Sequence, residues 1–349
     1  MRSSRSAPFN AIRVALALLV TLGFTGCRDS YTEPEPDSGF VIEVPDDFPT
    51  VPIPPNNTMT TARVALGKKL FFDPVLSRDN SVSCGSCHLP ELAFATNDSL
   101  AIGIHGQHTT RNAPSLANVG YGMAFFRDGG AETLELQVHN PLESELEMDL
   151  PLAEAATRLE TMSEYMKLIR EAYPDKPTTA AINHSLAAFQ RTLISGNSRY
   201  DQYMRGDQQA LTAEELRGKA VFFSEQAKCS SCHSGFNFTN EGFENNGLYA
   251  TYVDKGRARV TLDSADVGKF KVPSLRNVAL TWPYMHNGSL SSLAEVMEHY
   301  AGGGKGHYNQ HPAIAEISLS EQDMNDLVRF LNALTDETFV SDVRHRPDQ

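Results

Sequence analysis

At 349 residues the chain is long enough for about two domains of ordinary size. A hydrophobic fraction of 41% suits a folded globular body, and 24 glycines and 19 prolines are too few for disorder throughout. Lys+Arg 30 against Asp+Glu 43 leaves a net charge of −13, the wrong sign for nucleic-acid phosphates and the right one for a solvated acidic surface or a basic protein partner.

The N-terminus reads as a targeting segment. Arg2, Arg5 and Arg13 form a positive stretch, Val14 to Leu22 is apolar, and Phe24-Thr25-Gly26-Cys27 brings small residues up to a cysteine. This resembles a bacterial lipoprotein signal over residues 1–27, in which Cys27 becomes the lipidated first residue; a simple signal peptide or an uncleaved anchor is the alternative. No other stretch reaches the ~20 apolar residues a membrane span needs, so the membrane is met only through that anchor, on the periplasmic side. Residues 28–57 are rich in Pro, Glu and Asp, as in Thr32-Glu33-Pro34-Glu35-Pro36-Asp37, and read as a disordered tether. Regular structure is expected from near Thr60.

Of five cysteines, four remain beyond Cys27. They fall in Cys84-Gly85-Ser86-Cys87-His88 and Cys229-Ser230-Ser231-Cys232-His233, both of the form C-x-x-C-H. That form attaches a c-type haem: two thiols three positions apart join its two vinyl groups, and the adjacent histidine becomes the proximal iron ligand. A four-cysteine zinc site, a dithiol redox pair or structural disulfides would use the cysteines, but none asks for histidine after both pairs. Two covalently bound haem c groups are therefore expected, on Cys84/Cys87 with His88 and on Cys229/Cys232 with His233.

A weak repeat surrounds these motifs. Leu66-Gly67-Lys68-Lys69-Leu70-Phe71-Phe72 precedes the first, and Arg217-Gly218-Lys219-Ala220-Val221-Phe222-Phe223 the second. Each looks like a helix ending in paired aromatics, which duplication of one haem-binding module explains. Helical periodicity recurs at 151–172, 178–195, 212–223, 291–301 and 320–334, the last opened by a Ser320/Asp323 capping box, while strand signals are poor. The fold class is mostly α: two cytochrome c-like haem domains with long loops, at 58–205 and 206–349.

With these segments in view, the chain resembles the bacterial di-haem cytochrome c peroxidase family, including its MauG-like branch, over about residues 60–335. The likeness rests on Leu70 to Ser77, Arg111-Asn112-Ala113-Pro114-Ser115-Leu116, Gln137 to Met148, Val272-Pro273-Ser274-Leu275-Arg276-Asn277 and Leu280 to Gly288. It implies that the first haem reduces hydrogen peroxide, while the second takes electrons from a small redox protein such as a cytochrome c or cupredoxin. It also allows a homodimer. Peroxide chemistry needs a base that moves a proton between the two oxygens and a polar group that orients them. By resemblance Glu147 is that acid–base carboxylate and Gln137 the orienting amide; Glu143 and Glu145 stay a solvated acidic face.

The same resemblance sets three further expectations. In many members a displaceable histidine caps the first iron, and His105 is the candidate here, ahead of His108. The second iron takes Tyr300 as distal ligand, with Met297, one turn earlier, as the rival; methionine raises a haem potential, whereas a phenolate stabilises ferric and higher states. A calcium ion between the domains would use the Asn112 side chain and the Thr281 and Pro283 carbonyls. One departure stands out. Arg127 takes the place of the family's bridging tryptophan, leaving Trp282, Phe126 or the haem edges as the electron route. The leading reading is a di-haem peroxidase; a MauG-like enzyme oxidising residues of a partner protein, and a non-catalytic electron carrier, are the alternatives.

Overall fold

The computed structural model describes residues 39–348. The signal segment, Cys27 and the first part of the tether lie outside the described residues.

Residues 45–59 run without helix, yet they are not a free tether. Phe48, Val51 and Met59 are buried, and Phe48 packs edge-on against Phe236 with ring centroids 4.7 Å apart. Asn57, fully buried, donates to Glu135 at 2.8 Å and to the His184 carbonyl at 2.9 Å, and accepts from the Tyr173 hydroxyl. The Pro/Asp-rich composition hid these anchors, because a single aromatic every few residues is enough to hold an extended strap to a core.

Helices then carry the fold. In chain order they are α1 (Thr61–Phe72), α2 (Cys84–Cys87), α3 (Leu134–Gln137), α4 (His139–Glu143), α5 (Leu152–Glu160), α6 (Ser163–Ala172), α7 (Thr178–Arg191), α8 (Arg199–Met204), α9 (Ala213–Phe222), α10 (Ala258–Thr261), α11 (Leu293–Ala301), α12 (Pro312–Glu316), α13 (Glu321–Asn332) and α14 (Glu337–Ser341). Thr60 caps α1 through the Arg63 amide, and the Ser320/Asp323 capping box opens α13. The periodic stretch 151–172 is broken into α5 and α6 by a turn at Thr161–Met162, where Thr161 Oγ1 donates to the Arg158 carbonyl at 2.7 Å. The described strands are one short antiparallel pair, β1 (Phe243–Glu244) and β2 (Phe270–Lys271), with Phe243 opposite Lys271.

The repeat seen in the sequence is a repeat of packing. In the first half, α1 crosses α7 at Gly67, where any side chain would run into the Ser185 carbonyl; in the second, α9 crosses α13 at Gly218, where the Asp326 carbonyl stands in the way. Phe71 lies 5.1, 5.9 and 5.2 Å from Phe72, Phe94 and Phe189. Phe222 lies 5.1, 5.9 and 5.3 Å from Phe223, Phe238 and Phe330. Two cores result, one built on α1 and α7, the other on α9 and α13.

Two segments pack across the expected division into 58–205 and 206–349. α8 belongs with the second core: Tyr200 packs on Phe238 and Phe330, and buried Asp201 grips buried Arg276 in a two-pronged ion pair at 2.8 and 3.0 Å. After α13 the chain returns to the first core, where Phe339 of α14 packs against Phe94. Asp336 fixes this return by accepting from the Ser195 hydroxyl and the Gly196 and Asn197 amides. Buried charge pairing holds these segments on their side of the division.

Candidate haem-binding site

In the first half, Ser83 and Ser86 close the capping box of α2, which brings Cys84 and Cys87 to one side of a single turn with His88 at its end. The His88 Nδ1–H donates to the Phe94 carbonyl at 2.7 Å, an arrangement that turns Nε2 outward as a ligand. Phe94 supplies that carbonyl from a left-handed conformation (φ 59°), and the Pro114 carbonyl also acts on the ring. Burial pushes the His88 pKa down, which keeps the imidazole neutral and able to bind a metal. The second half repeats this: the His233 ring donates to the Phe238 carbonyl at 3.1 Å, Pro273 takes the part of Pro114, and burial again lowers the pKa. These carbonyls were missed in the sequence, although Pro-Ser-Leu recurs at 114–116 and 273–275 and signals them.

Cys84, Cys87 and His88 open into a cavity of about 610 Å³, within the size range of cofactor pockets. Its wall includes Gln137, Pro141 and Glu147 from the α3–α4 segment and the loop after it. That loop alternates: Glu143 and Glu145 are exposed, whereas Glu147 is half-buried. The Glu147 backbone is held by its amide on the Ser144 carbonyl at 2.9 Å and by the Ile104 amide on its own carbonyl at 2.8 Å. Gly103 permits that approach, since a side chain there would strike the Leu146 carbonyl. Burial raises the Glu147 pKa, and its carboxylate is close enough to add to the charge felt by both Cys84 and Cys87.

His105 does not join this wall. Its side chain is 60% exposed with Nδ1 3.8 Å from an Asp79 oxygen, and His108 is likewise exposed, on the Leu100 carbonyl. The loop that carries them braces Glu147 through backbone alone, so the ring expected over the first iron points to solvent.

For the second motif the two candidates on α11, Met297 and Tyr300, have different surroundings. Met297 is 6% exposed and lies in the second core with Phe222, Phe238, Leu327 and Phe330, which occupies it as an apolar filler. Tyr300 lies close enough to Cys229 and Cys232 to feel both sulfurs. Burial pushes its pKa up to about 12, opposed by an Asn246 hydrogen bond and reinforced by both sulfurs and Tyr252.

Between the two motifs, Arg127 and Phe126 line the cavity, as do Thr281 and Pro283. Trp282 does not; it is 44% exposed beside the cis Trp282–Pro283 bond, whereas Phe126 lines the cavity together with Phe71, Phe125 and Tyr284. Of the expected calcium ligands, the Asn112 side-chain oxygen is already engaged. The Arg127 guanidinium donates through Nη2 to Asn112 Oδ1 at 2.7 Å and through Nε to the Asn112 carbonyl at 3.1 Å. A cation already sits on the one side-chain oxygen a metal would need, and the residues do not fit the ion.

Two thiol pairs, each followed by a half-buried neutral histidine held at Nδ1, define a di-haem c-type cytochrome with an open cavity at the first motif. A family model described as di-haem cytochrome c peroxidase matches residues 61–209, and a cytochrome c model matches residues 215–335. The methylamine utilization protein MauG of Methylorubrum extorquens is 38% identical over 292 residues, covering 82% of this chain and 82% of that protein. Cytochrome-c peroxidase IdrP1 of Denitromonas iodatirespirans is 34% identical over 321 residues, covering 82% and 85%. Among solved structures, a MauG-like protein associated with microbial copper homeostasis superposes with a TM-score of 0.84 at 34% identity, covering 88% of this chain and 99% of that one. The chain belongs to the di-haem cytochrome c peroxidase family, and it is a haem-dependent, peroxidase-type oxidoreductase.

Proposed function

We propose that this chain reduces hydrogen peroxide to water at the first haem, with electrons delivered through the second from a small periplasmic redox protein. What carries the reading is Glu147 and Gln137 in the wall of the cavity that Cys84, Cys87 and His88 open into. Haem would be held there by thioethers to Cys84 and Cys87 with His88 below it, and in the second half by Cys229, Cys232 and His233 with Tyr300 as distal ligand. When bound, the haem would supply electrons and a place for peroxide to bind. The protein moves protons: Glu147 takes one from the peroxide oxygen nearer the iron and returns it to the farther one, so that the O–O bond breaks with water as leaving group. Gln137 orients the peroxide. The balance is one peroxide, two electrons and two protons to two waters.

The acidic surface would suit a donor with a basic face. Attachment through Cys27 would hold the enzyme at the periplasmic side of a membrane; no helix among the described residues is long and apolar enough to cross one. Haem attachment predicts that mature protein from a cytochrome-maturing host weighs two haems more than its polypeptide.

A second reading is favoured by two observations, the placement of Tyr300 at the second motif and the absence of any histidine besides His88 from the described cavity wall. Both suit a MauG-like enzyme that draws its electrons from residues of a partner protein. Steady-state turnover of peroxide with a reduced small cytochrome c decides between them. Sustained turnover supports the peroxidase; negligible turnover, with peroxide still bleaching or shifting the haem spectrum, supports protein oxidation.

A further inference from the structure

We propose that the Arg127 guanidinium is itself the permanent cation between the two haem-binding halves, and that this chain binds no calcium there. The proposal holds whichever reaction the haems perform. Calcium would require Asn112 Oδ1 at about 2.3–2.6 Å. That oxygen receives Arg127 Nη2 at 2.7 Å while Nε closes on the Asn112 carbonyl at 3.1 Å, so one planar fork spans both oxygens of one residue. Metal and guanidinium would compete for the same lone pairs at the separation where like charges repel most.

The asparagine cannot turn away to accommodate both. Its Nδ2 donates to the Asp98 carbonyl at 3.1 Å and its amide N–H to the His286 carbonyl at 2.9 Å, which fixes the amide orientation and keeps Oδ1 on Arg127. Two further carboxylates in the same network are already neutralised. The nearby carboxylates Asp128 and Asp254 are both spent on Arg111, at 2.7 Å and at 2.6 and 2.8 Å. Arg127 forms no ion pair among the described residues, so its charge is left for the cavity it lines. Burial, helped by Arg111, lowers its pKa to about 10, which still leaves the guanidinium charged at neutral pH. A flexible four-bond stem ending in a planar fork does this; the flat, neutral indole expected at this position does not.

The test uses the haem-loaded full chain, incubated with calcium chloride, desalted, and assayed for calcium by atomic emission. Wild-type protein should retain substoichiometric calcium, and EGTA should leave the ferric EPR spectrum and melting temperature unchanged. Arg127→Gln, which frees Asn112 Oδ1 and removes the charge, should gain one calcium per chain and a melting temperature that rises with calcium. Arg127→Lys keeps the charge and should behave as wild type. One equivalent of calcium in the wild type, stripped by EGTA with a spectral change, overturns the proposal. So does an Arg127→Gln protein of full haem content that takes up none, because the exchange of guanidinium for metal would then not exist. If that variant loses haem, the wild-type and Arg127→Lys measurements decide alone.

Discussion

Replacing Glu147 with glutamine removes a proton acceptor while keeping size and shape. The structure says what should and should not change. The carboxylate accepts no hydrogen bond and joins no ion pair among the described residues, and the loop is held by backbone contacts at Ser144, Pro141 and Ile104. The fold and both haems should therefore survive. Burial raises the folded-state pKa of Glu147 above its unfolded value. Its protonated form is then the one folding favours, so its contribution is present below the unfolded pKa and lost as pH rises through the folded pKa. At neutral pH the ionised group opposes folding, and Glu147→Gln should be at least as stable as wild type. Catalysis should suffer instead. A positioned acid–base group contributes about 10²–10⁴-fold, equivalent to about 3–5 kcal/mol on the barrier. Stopped-flow and steady-state peroxide reduction measure kcat/KM across pH. Wild-type activity should fall on the acidic side above the ordinary glutamate range as Glu147 takes a proton; the variant should lose both the rate and that limb. A variant within threefold of wild type that keeps the same acid limb would refute the assignment.

Tyr300→Phe should alter the ferric EPR and visible spectra of one haem, whereas Met297→Leu should leave them unchanged; the reverse outcome would return the ligand role to Met297. Gly67→Ala and Gly218→Ala should each destabilise by about 1–3 kcal/mol or more in urea unfolding, because each methyl meets a backbone carbonyl across a helix crossing; tolerance at either would mean the crossing can open. Asp201→Asn should cost about 3–5 kcal/mol, since it strands Arg276, 2% exposed, without its partner. Asp201 has a lowered folded pKa despite burial, through Arg276 and then Ser198, so its stabilisation is complete above the unfolded value and lost as pH falls through the folded one. Asp201→Asn should therefore flatten the acid arm of the stability–pH curve, as followed by circular dichroism.

The C-x-x-C-H motifs and the helices were legible because each depends on a short stretch of chain. Thioether spacing is set within five residues, and the 3.6-residue stripe of α13 or the capping box at Ser320 needs only one or two turns. The duplication was visible for a related reason, since Gly67 and Gly218 mark the same helix crossing in each half. What the Pro/Asp-rich strap concealed was the burial of Phe48 and Asn57, whose partners lie more than 70 residues away.

Local pattern could offer both Met297 and Tyr300, because both lie on the inner side of one helix. The tertiary structure puts Met297 in the second core with Phe222, Phe238 and Phe330, and Tyr300 near the cysteine pair. His105, plausible by spacing, is turned outward by a loop whose backbone is used to brace Glu147. The hold of Arg127 on Asn112 joins residues 15 apart through a side-chain fork, and it occupies the one side-chain oxygen that the family resemblance offers to a metal. Sequence fixes which chemical groups are available and how near neighbours are spaced; which of them face a common space depends on how distant surfaces exclude one another.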